Sequence, residues 1–243
     1  MDTKYIILAI ILLIALYTCF SIKEHYTEES INTDEKIIQK LYSLMKIFDS
    51  LCRKHNIRYW IDAGTMLGAV RHKGIIPWDD DIDICVPESD REKVMMLVDD
   101  LQKHGCGLTK FWGDYKIYSF DGEKMKPENS NWVWTGKDGK TTSDKGVINY
   151  TFPFIDIYFV DFNKDTNTYT YTNPKNRTVL PKHYHNACDL LPLKNYKFGE
   201  LTVVGVKNPM PYLNRAYPNW ATVGIKKYDH QNMTFISKQV ATF

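Results

Sequence analysis

The feature that most constrains this chain is a run of four carboxylates within five residues, Asp79-Asp80-Asp81-Ile82-Asp83. Alternate side chains of a β-strand share a face, so Asp79, Asp81 and Asp83 would lie together while the isoleucine points away. Two like charges about 4 Å apart repel by about 4 kcal/mol at an effective dielectric of about 20. The run is therefore expected to need a cation, and hard oxygen ligands favour Mg²⁺ or Mn²⁺ over zinc.

A solvated acidic turn is the alternative interpretation of this run. An EF-hand is excluded because Gly at the sixth loop position and Glu at the twelfth are missing. Trp78 precedes the aspartates and isoleucines alternate with them, which is unusual for a solvated turn. Upstream, Gly64-Thr65 begins a helix-like segment, and the backbone N–H groups at a helix start can hold a phosphate. An ordinary glycine turn is the alternative there.

Another carboxylate, Asp156, interrupts the apolar run 152–160. A lone aspartate in a buried strand is costly unless it is paired or binds a metal. An exposed edge strand and a hydrogen-bonded turn are the alternatives. Two carboxylates on one strand and a third on a neighbouring strand would suit a metal that binds nucleotide phosphates, as in phosphoryl or nucleotidyl transfer.

Composition limits the class of protein. The 243 residues are 44% hydrophobic, which suits one large domain with a buried core. The net charge is +2, so we expect no nucleic-acid partner bound through a basic surface. The mean hydropathy of -0.38 excludes a polytopic membrane protein. Five cysteines without a CxxC pair support neither a disulfide scaffold nor a structural zinc site.

The N-terminal stretch 5–22 is uncharged and would span roughly 27 Å as a helix. It predicts one N-terminal transmembrane helix and thus a membrane partner. We expect an anchor at 1–23, a short stalk at 24–32 and a domain at 33–243. A cleaved signal peptide is the rival, although its cleavage site is poor. A single-pass protein with a short cytosolic N-tail would place its domain in a lumenal or extracytoplasmic space.

Apolar periodicity in the body of the chain predicts a single α+β domain. A helix is expected from a cap at Asn32 or Thr33 to His55, and a capping box at Ser89 opens another that stops near Gly105. From Leu108 the pattern turns to strands. The expected exceptions are an exposed polar loop at 122–146 and a last short helix at 212–217.

The chain resembles the LicD-type transferases, the family that includes fukutin and fukutin-related protein. The resemblance lies in three blocks of sequence within roughly residues 35–220. The specific first block reads Asp62-x-Gly64-Thr65-Met66-Leu67-Gly68, then Arg71-His72, then Ile76-Pro77-Trp78-Asp79-Asp80-Asp81-Ile82-Asp83. The second reads Phe154-Ile155-Asp156-Ile157-Tyr158, and a weaker third lies within 192–217.

This resemblance implies a nucleotidyltransferase-like fold, a mixed sheet flanked by helices. It implies that Asp81, Asp83 and Asp156 are the metal ligands and that Gly64 and Thr65 form the turn that binds substrate. Known relatives move a phosphorylated small alcohol, such as phosphocholine or ribitol phosphate, from a CDP-linked donor to a glycan. We therefore expect a CDP-linked alcohol donor and a glycan or glycoprotein acceptor.

The remaining candidate residues are assigned by charge. Asp79, with Asp81, Asp83 and Asp156, is expected in the catalytic group, where it would orient the acceptor hydroxyl or act as a base. Arg71 and His72 would neutralise phosphate. Two alternatives stay open: an inactive, metal-stabilised glycan-binding module, and a nucleotidyltransferase that makes the CDP donor itself.

Overall fold

The computed structural model describes residues 32–111, 114–125, 132–135, 141–144 and 149–243. The chain divides into two compact units, Met1–Asn32 and Thr33–Phe243. The elements below belong to the second unit, which is a mixed α/β fold.

Helices are interspersed with strands along the described part of the chain. The helices are α1 (Glu35–Lys54), α2 (Ala63–Arg71), α3 (Arg91–Met95), α4 (Val98–Lys103), α5 (Pro174–Val179), α6 (Ala187–Leu190) and α7 (Met210–Ala216). The strands are β1 (Trp60–Ile61), β2 (Ile82–Pro87), β3 (Cys106–Phe111), β4 (Asp114–Lys124), β5 (Trp132–Thr135), β6 (Thr141–Asp144), β7 (Thr151–Asn163), β8 (Thr168–Tyr171), β9 (Tyr184–Asn186), β10 (Lys194–Phe198), β11 (Leu201–Gly205), β12 (Val223–Asp229) and β13 (Thr234–Thr242).

The long helix α1 forms because its apolar residues recur at helical spacing and bury one face against the sheet. Leu41, Met45 and Phe48 on that face are fully buried. The side chain of Asp34 accepts a hydrogen bond from the backbone N–H of Lys36 at 2.7 Å and caps the first turn. The predicted helix is confirmed, with its cap at Asp34 instead of the expected Asn32 or Thr33.

Strand β7 lies at the centre of the largest sheet, whose order is β1-β2-β7-β4-β3, with β8 on β7 and β9 on β8. Only the β2–β7 pair of this sheet is parallel among the described strands. The register sets Asp83 of β2 beside Asp156 of β7, and Asp156 beside Lys116 of β4. Paired residues of adjacent strands point to the same face, so three charged side chains form one row across three strands.

A hairpin near the C-terminus was missed by the sequence analysis, which expected the helix at 212–217 as the last element. Strands β12 and β13 pair antiparallel from Val223 opposite Thr242 to Asp229 opposite Thr234. His230 lies in the turn that joins them. This hairpin reaches the carboxylate run, as described below.

Two further predictions of secondary structure were wrong. The expected helix from Ser89 to Gly105 is broken into a 3₁₀ turn at Glu88–Asp90 and the short helices α3 and α4. The expected polar loop 122–146 contains the paired strands β5 and β6, and β4 runs into its beginning. These strands were missed because the stretch as a whole is rich in lysine, glycine and other polar residues, although β5 itself reads Trp132-Val133-Trp134-Thr135.

The expected fold class of an α+β domain preceded by a transmembrane helix is corrected. The parallel pairing of β2 with β7 makes the fold a mixed α/β one. Within the residues that the structure describes, no helix is long and apolar enough to span a bilayer. The described residues do not include the stretch 5–22, on which that prediction rested. They also leave out the anchor 1–23 and most of the stalk 24–32.

Candidate active site

The structure brings together three aspartates that the sequence analysis named as metal ligands. One carboxylate oxygen from each of Asp81, Asp83 and Asp156 lies within 4.8 Å of the others. Asp83 and Asp156 meet because β2 and β7 are parallel and in register, and Asp81 lies two residues before Asp83 on the same side. The assignment of the three as ligands remains a prediction, with a geometry that permits it.

These carboxylates lie close together with too little positive charge to balance them. Burial and the charges of Asp81 and Asp156 raise the pKa of Asp83 well above its usual range. Burial also raises the pKa of Asp81 to about 6, against the opposing charge of His230. Burial and the neighbouring Asp81 raise the pKa of Asp79 well above its usual range. A divalent cation would relieve this repulsion.

Lys116 is a member of this site that sequence reasoning missed. Its side chain is 7% exposed, and its ammonium donates to Asp156 Oδ1 at 2.5 Å. The ammonium also lies 3.6 Å from the ring centroid of Phe154. One lysine between Tyr115 and Ile117 looks like an exposed strand residue, and only the register of β4 on β7 places it against Asp156.

His230 is a second missed residue, and it comes from the hairpin turn. Its Nδ1 lies 2.6 Å from Asp80 Oδ1, its backbone N–H donates to Asp80 Oδ2 at 3.0 Å, and its Nε2 lies 3.1 Å from Asp81 Oδ2. Burial acts to lower the pKa of His230, but Asp81 and Asp80 raise it to about 10. The imidazolium therefore neutralises part of the acidic run. A lone histidine 150 residues away gave no local signal in the sequence.

Asp62 begins the predicted family block and has a structural role. It is 1% exposed and accepts hydrogen bonds from His185 Nε2 at 2.7 Å, the Tyr171 hydroxyl at 2.9 Å and, more weakly, Cys85 Sγ at 3.3 Å. Burial acts to raise the pKa of Asp62, yet the charge and hydrogen bond of His185 hold it well below its usual range. The following residue, Ala63, has a φ of 42° and donates its N–H to the Tyr212 hydroxyl at 3.1 Å.

The two predicted turn residues differ in position. Gly64 faces the carboxylates: a Cβ there would lie 2.7 Å from Asp79 Oδ2, so a side chain would displace Asp79. The Thr65 hydroxyl instead accepts the backbone N–H of Asp83 at 2.8 Å and holds β2 against α2. Substrate binding by these two residues stays a prediction, and of the two only Gly64 lines the cavity next to the carboxylates.

Arg71 and His72, the predicted phosphate ligands, are engaged with the C-terminal segment. Arg71 donates from Nη1 to the Trp220 carbonyl at 2.6 Å, and its guanidinium carbon lies 4.6 Å from the ring centroid of Phe243. Arg71 Nε donates to His72 Nε2 at 2.8 Å, and the His72 ring packs edge-on against Trp78. Arg71 borders the cavity next to the carboxylates, whereas His72 is not among the residues that line it.

This cavity has a volume of about 520 Å³ and opens over the carboxylates. Asp79, Asp81 and Asp83 lie at its wall beside Gly64. The lining also includes residues that follow α7 and residues of the hairpin: Tyr217, Trp220, Ile225, Lys226, Lys227, Tyr228 and His230. The space suits a nucleotide-sized ligand, and two lysines line it together with the acidic group.

The described residues fit a hard divalent cation. Three carboxylate oxygens converge within 4.8 Å, and oxygen ligands in such a set are those that Mg²⁺ and Mn²⁺ prefer. Asp80, Asp81 and His230 form another group of converging atoms. In that group, however, the imidazole already pairs with both carboxylates, so the first set is the one with unbalanced charge.

Comparison with known proteins identifies the family to which the chain belongs. The model described as LicD/FKTN/FKRP, nucleotidyltransferase domain, matches residues 56–205, which confirms the resemblance read from the sequence. The matched range contains each site residue expected from the sequence, whereas His230 and the hairpin lie beyond it.

Individual relatives match over different lengths. An uncharacterized protein of Rickettsia prowazekii is 34% identical over 198 residues, which is 81% of this chain and 61% of that protein. The lipopolysaccharide cholinephosphotransferase LicD of Haemophilus influenzae is 50% identical over 42 residues, 17% of this chain and 16% of the relative. The ribitol 5-phosphate transferase FKRP of Homo sapiens is 57% identical over 28 residues, 12% of this chain and 6% of the relative. The chain thus spans 61% of the length of the Rickettsia relative and much less of the two transferases.

Proposed function

Because the chain belongs to the LicD/FKTN/FKRP family of nucleotidyltransferase domains, we propose that it is a metal-dependent transferase. It moves a phosphorylated small alcohol from a CDP-linked donor to a glycan or glycoprotein acceptor. Phosphocholine and ribitol 5-phosphate are the two groups to consider, since one relative is a cholinephosphotransferase and another a ribitol 5-phosphate transferase.

The observation that carries this proposal is the convergence of Asp81, Asp83 and Asp156 beside a cavity of about 520 Å³. Buried carboxylates held together without enough balancing charge destabilise the fold, so their arrangement favours a ligand that compensates them. A divalent cation that binds together with a nucleoside diphosphate is such a ligand, because the cation supplies the positive charge. A cavity of this volume suits the CDP part of the donor.

Mg²⁺ or Mn²⁺ would be held by Asp81, Asp83 and Asp156. Bound there, the ion would supply positive charge to the donor phosphates and lower the barrier to displacement at phosphorus. Lys116 holds Asp156 in place through its ion pair, and His230 does the same for Asp81.

Other side chains would bind and orient the donor. Lys226 and Lys227 line the cavity from β12 and would pair with the phosphates. Gly64 lines the cavity at the start of α2, where backbone N–H groups would bind a phosphate, and its missing Cβ leaves room for the Asp79 carboxylate. Arg71 would contribute mainly by fixing the hairpin wall, since its guanidinium already bonds the Trp220 carbonyl.

Asp79 is the candidate general base. It lines the cavity, and burial with the charge of Asp81 raises its pKa well above the usual carboxyl range. A carboxylate with a raised pKa accepts a proton from an acceptor hydroxyl more readily near neutral pH. Asp79 would take that proton as the acceptor oxygen attacks phosphorus and CMP leaves.

Synthesis of the CDP donor from CTP is the second candidate, favoured by membership of a family of nucleotidyltransferase domains. The same carboxylates would serve either reaction, but the products differ. Transfer from a CDP-alcohol releases CMP, whereas synthesis from CTP and a phosphorylated alcohol releases pyrophosphate. An inactive glycan-binding module would release neither product.

The test is product analysis with purified protein and Mn²⁺. CDP-choline and CDP-ribitol are each supplied alone and with a glycan mixture, and CTP is supplied with phosphocholine or ribitol 5-phosphate. We expect CMP from one CDP-alcohol, abolished by EDTA and restored by Mn²⁺. Asp83→Asn is expected to be inactive, while Asp161→Asn, the same change at an exposed site on β7, keeps activity. Pyrophosphate without CMP would support donor synthesis, and no product in either assay would contradict both enzymatic readings.

A further inference from the structure

We propose that a second cavity, of about 260 Å³ and bordered by Asp156, binds the acceptor as a neutral, hydroxyl-rich sugar ring. This inference rests on the proposed transferase function. Asp114 and Asn176 supply polar contacts in this cavity, and aromatic side chains form its walls.

The cavity lies next to the proposed metal ligands. Asp81 and Asp83 line the larger cavity, Asp156 lines the smaller one, and Tyr158 and His230 border both. The two cavities therefore meet at the converging carboxylates. Displacement at phosphorus brings the attacking and leaving oxygens roughly in line, on opposite sides of the transferred group. With the donor nucleotide in the larger cavity, the acceptor ring would lie in the smaller one. Its attacking hydroxyl would lie at the border with the larger cavity, which the proposed base Asp79 lines.

The side chain of Asp114 also supports a ligand in this cavity. It precedes Lys116 by two residues on β4, so both side chains point to the same face of the sheet. Asp114 is 5% exposed, and its Oδ2 accepts hydrogen bonds from the side-chain amides of Asn173, at 3.2 Å, and Asn176. Its Oδ1 is buried and has no hydrogen-bond partner among the described residues.

A buried carboxylate oxygen without a donor is costly, and more so than an unpaired neutral polar group. Asp114 is among the residues that line the cavity, and a ligand that brought a donor within reach of this buried oxygen would remove that cost. A sugar hydroxyl does so, and a neighbouring hydroxyl of the same ring can bond the Asn176 amide.

The charge and the walls of the cavity select a neutral ligand. Phe111, Tyr150, Phe154 and Phe235 line it and offer apolar surface to the C–H face of a sugar ring. A cationic ligand is disfavoured, because the Lys116 ammonium already lies 3.6 Å from the Phe154 centroid and pairs with Asp156.

Two variants test the cavity without touching the proposed metal ligands. Asp114→Asn can keep an oxygen for the two asparagine amides and replaces the free oxygen by an N–H₂ group. Phe235→Ala removes a wall residue that is 78% exposed, so the fold should tolerate it. Ile236→Ala is the matched control, since Ile236 adjoins Phe235, is 41% exposed and does not line the cavity.

The kinetic arm measures transfer of the labelled phospho-alcohol to methyl glycosides of glucose, galactose and N-acetylgalactosamine, and CMP release to water without sugar. We expect both variants to raise the sugar concentration for half-maximal transfer by about tenfold or more, with CMP release to water within about twofold of wild type. Ile236→Ala should match wild type. An unchanged sugar dependence, or a changed donor dependence instead, would overturn the assignment.

The binding arm does not depend on turnover, so it separates failure of this inference from failure of the proposed function. Saturation-transfer NMR with the same three glycosides should give signals for at least one with the wild-type protein. Those signals should weaken in Asp114→Asn and Phe235→Ala but not in Ile236→Ala. Absence of any signal with wild type, or equal signals in all four proteins, would overturn the inference even if CMP is released.

Discussion

Two buried acidic regions lie side by side in this fold, and their partners differ. Asp62 receives hydrogen bonds from His185, Tyr171 and Cys85, and its pKa is held low although it is 1% exposed. Among the described residues, no comparable set of donors contacts the side chain of Asp83, and its pKa is raised by burial and by the charges of Asp81, Asp156 and Asp79. The chain itself compensates the first charge and leaves the second largely uncompensated.

The number of hydrogen-bond donors around a buried carboxylate therefore distinguishes a structural aspartate from a candidate metal ligand. A carboxylate that the fold has fully paired contributes stability and constrains its surroundings, as Asp62 does at the start of α2. A carboxylate that the fold has left among like charges lowers stability until a cation arrives. The same substitution, Asp to Asn, should therefore have opposite effects on stability at the two positions.

The largest expected effect is on turnover of the CDP-alcohol. Asp83→Asn removes one ligand charge and should lower turnover by about 1000-fold or more, equivalent to about 4 kcal/mol of transition-state stabilisation. The measurement is CMP release at saturating Mn²⁺. Its control is the melting temperature without metal, which should equal or exceed that of wild type because repulsion is relieved. A melting temperature far below wild type would mean that Asp83 is structural, as Asp62 is.

The next largest effect is a loss of stability at Asp156, the proposed metal ligand that pairs with a lysine. Asp156→Asn leaves the buried Lys116 ammonium without its partner at 2.5 Å, so it should lower the free energy of unfolding by about 3–5 kcal/mol. Urea unfolding in EDTA measures this loss. Adding Lys116→Met should restore most of the stability but not the turnover. If the double variant is as unstable as the single one, the ion pair does not account for the loss.

A smaller loss is expected at the paired carboxylate. Asp62→Asn weakens the charge-assisted hydrogen bonds from His185 and Tyr171 and should lower the free energy of unfolding by about 1.5–3 kcal/mol. Turnover per folded molecule should stay within about tenfold of wild type, because Asp62 does not contact the cavity. Urea unfolding and CMP release at low temperature test both parts. A loss of turnover as large as that of Asp83→Asn would place Asp62 in the chemistry.

The smallest effect is the pH dependence of stability without metal. The folded-state pKa of Asp81 is about 6, above the usual unfolded value of about 3.9, so the folded state binds more protons between these values. Stability from this group is present at low pH and is lost as pH rises from about 4 to 6. Mn²⁺ competes with those protons, so its shift of the melting temperature should be larger at pH 7 than at pH 5. A shift that does not depend on pH would contradict this. Asp81→Asn should weaken the dependence without abolishing it, because burial also raises the pKa of Asp83 and of Asp79.

Much of the candidate site could be predicted from local sequence. Asp81 and Asp83 alternate with isoleucine, and Asp156 interrupts an apolar strand, so both patterns give a side chain's face without knowledge of the fold. The start of α2 at Ala63 was also predicted to within a residue, because Gly64 punctuates the chain there. These features depend only on residues that are neighbours in the sequence, so they can be predicted without knowledge of the fold.

The remaining features depend on pairing across long sequence separations. Lys116 becomes a site residue only through the register of β4 on β7, which local patterns do not give. His230 reaches Asp80 across 150 residues from a hairpin whose exposed, polar strands lack strong periodicity. The predicted role of Arg71 changed for the same reason, since the Trp220 carbonyl that it contacts comes from a distant segment.

The most direct test of the account is Mn²⁺ binding by calorimetry to wild type, Asp83→Asn and Asp62→Asn, each verified as folded. The account predicts that wild type and Asp62→Asn bind Mn²⁺ with affinities within about threefold of each other, and that Asp83→Asn loses about 100-fold or more in affinity. Equal Mn²⁺ affinity in all three proteins would contradict the claim that the fold leaves the second acidic region for a metal.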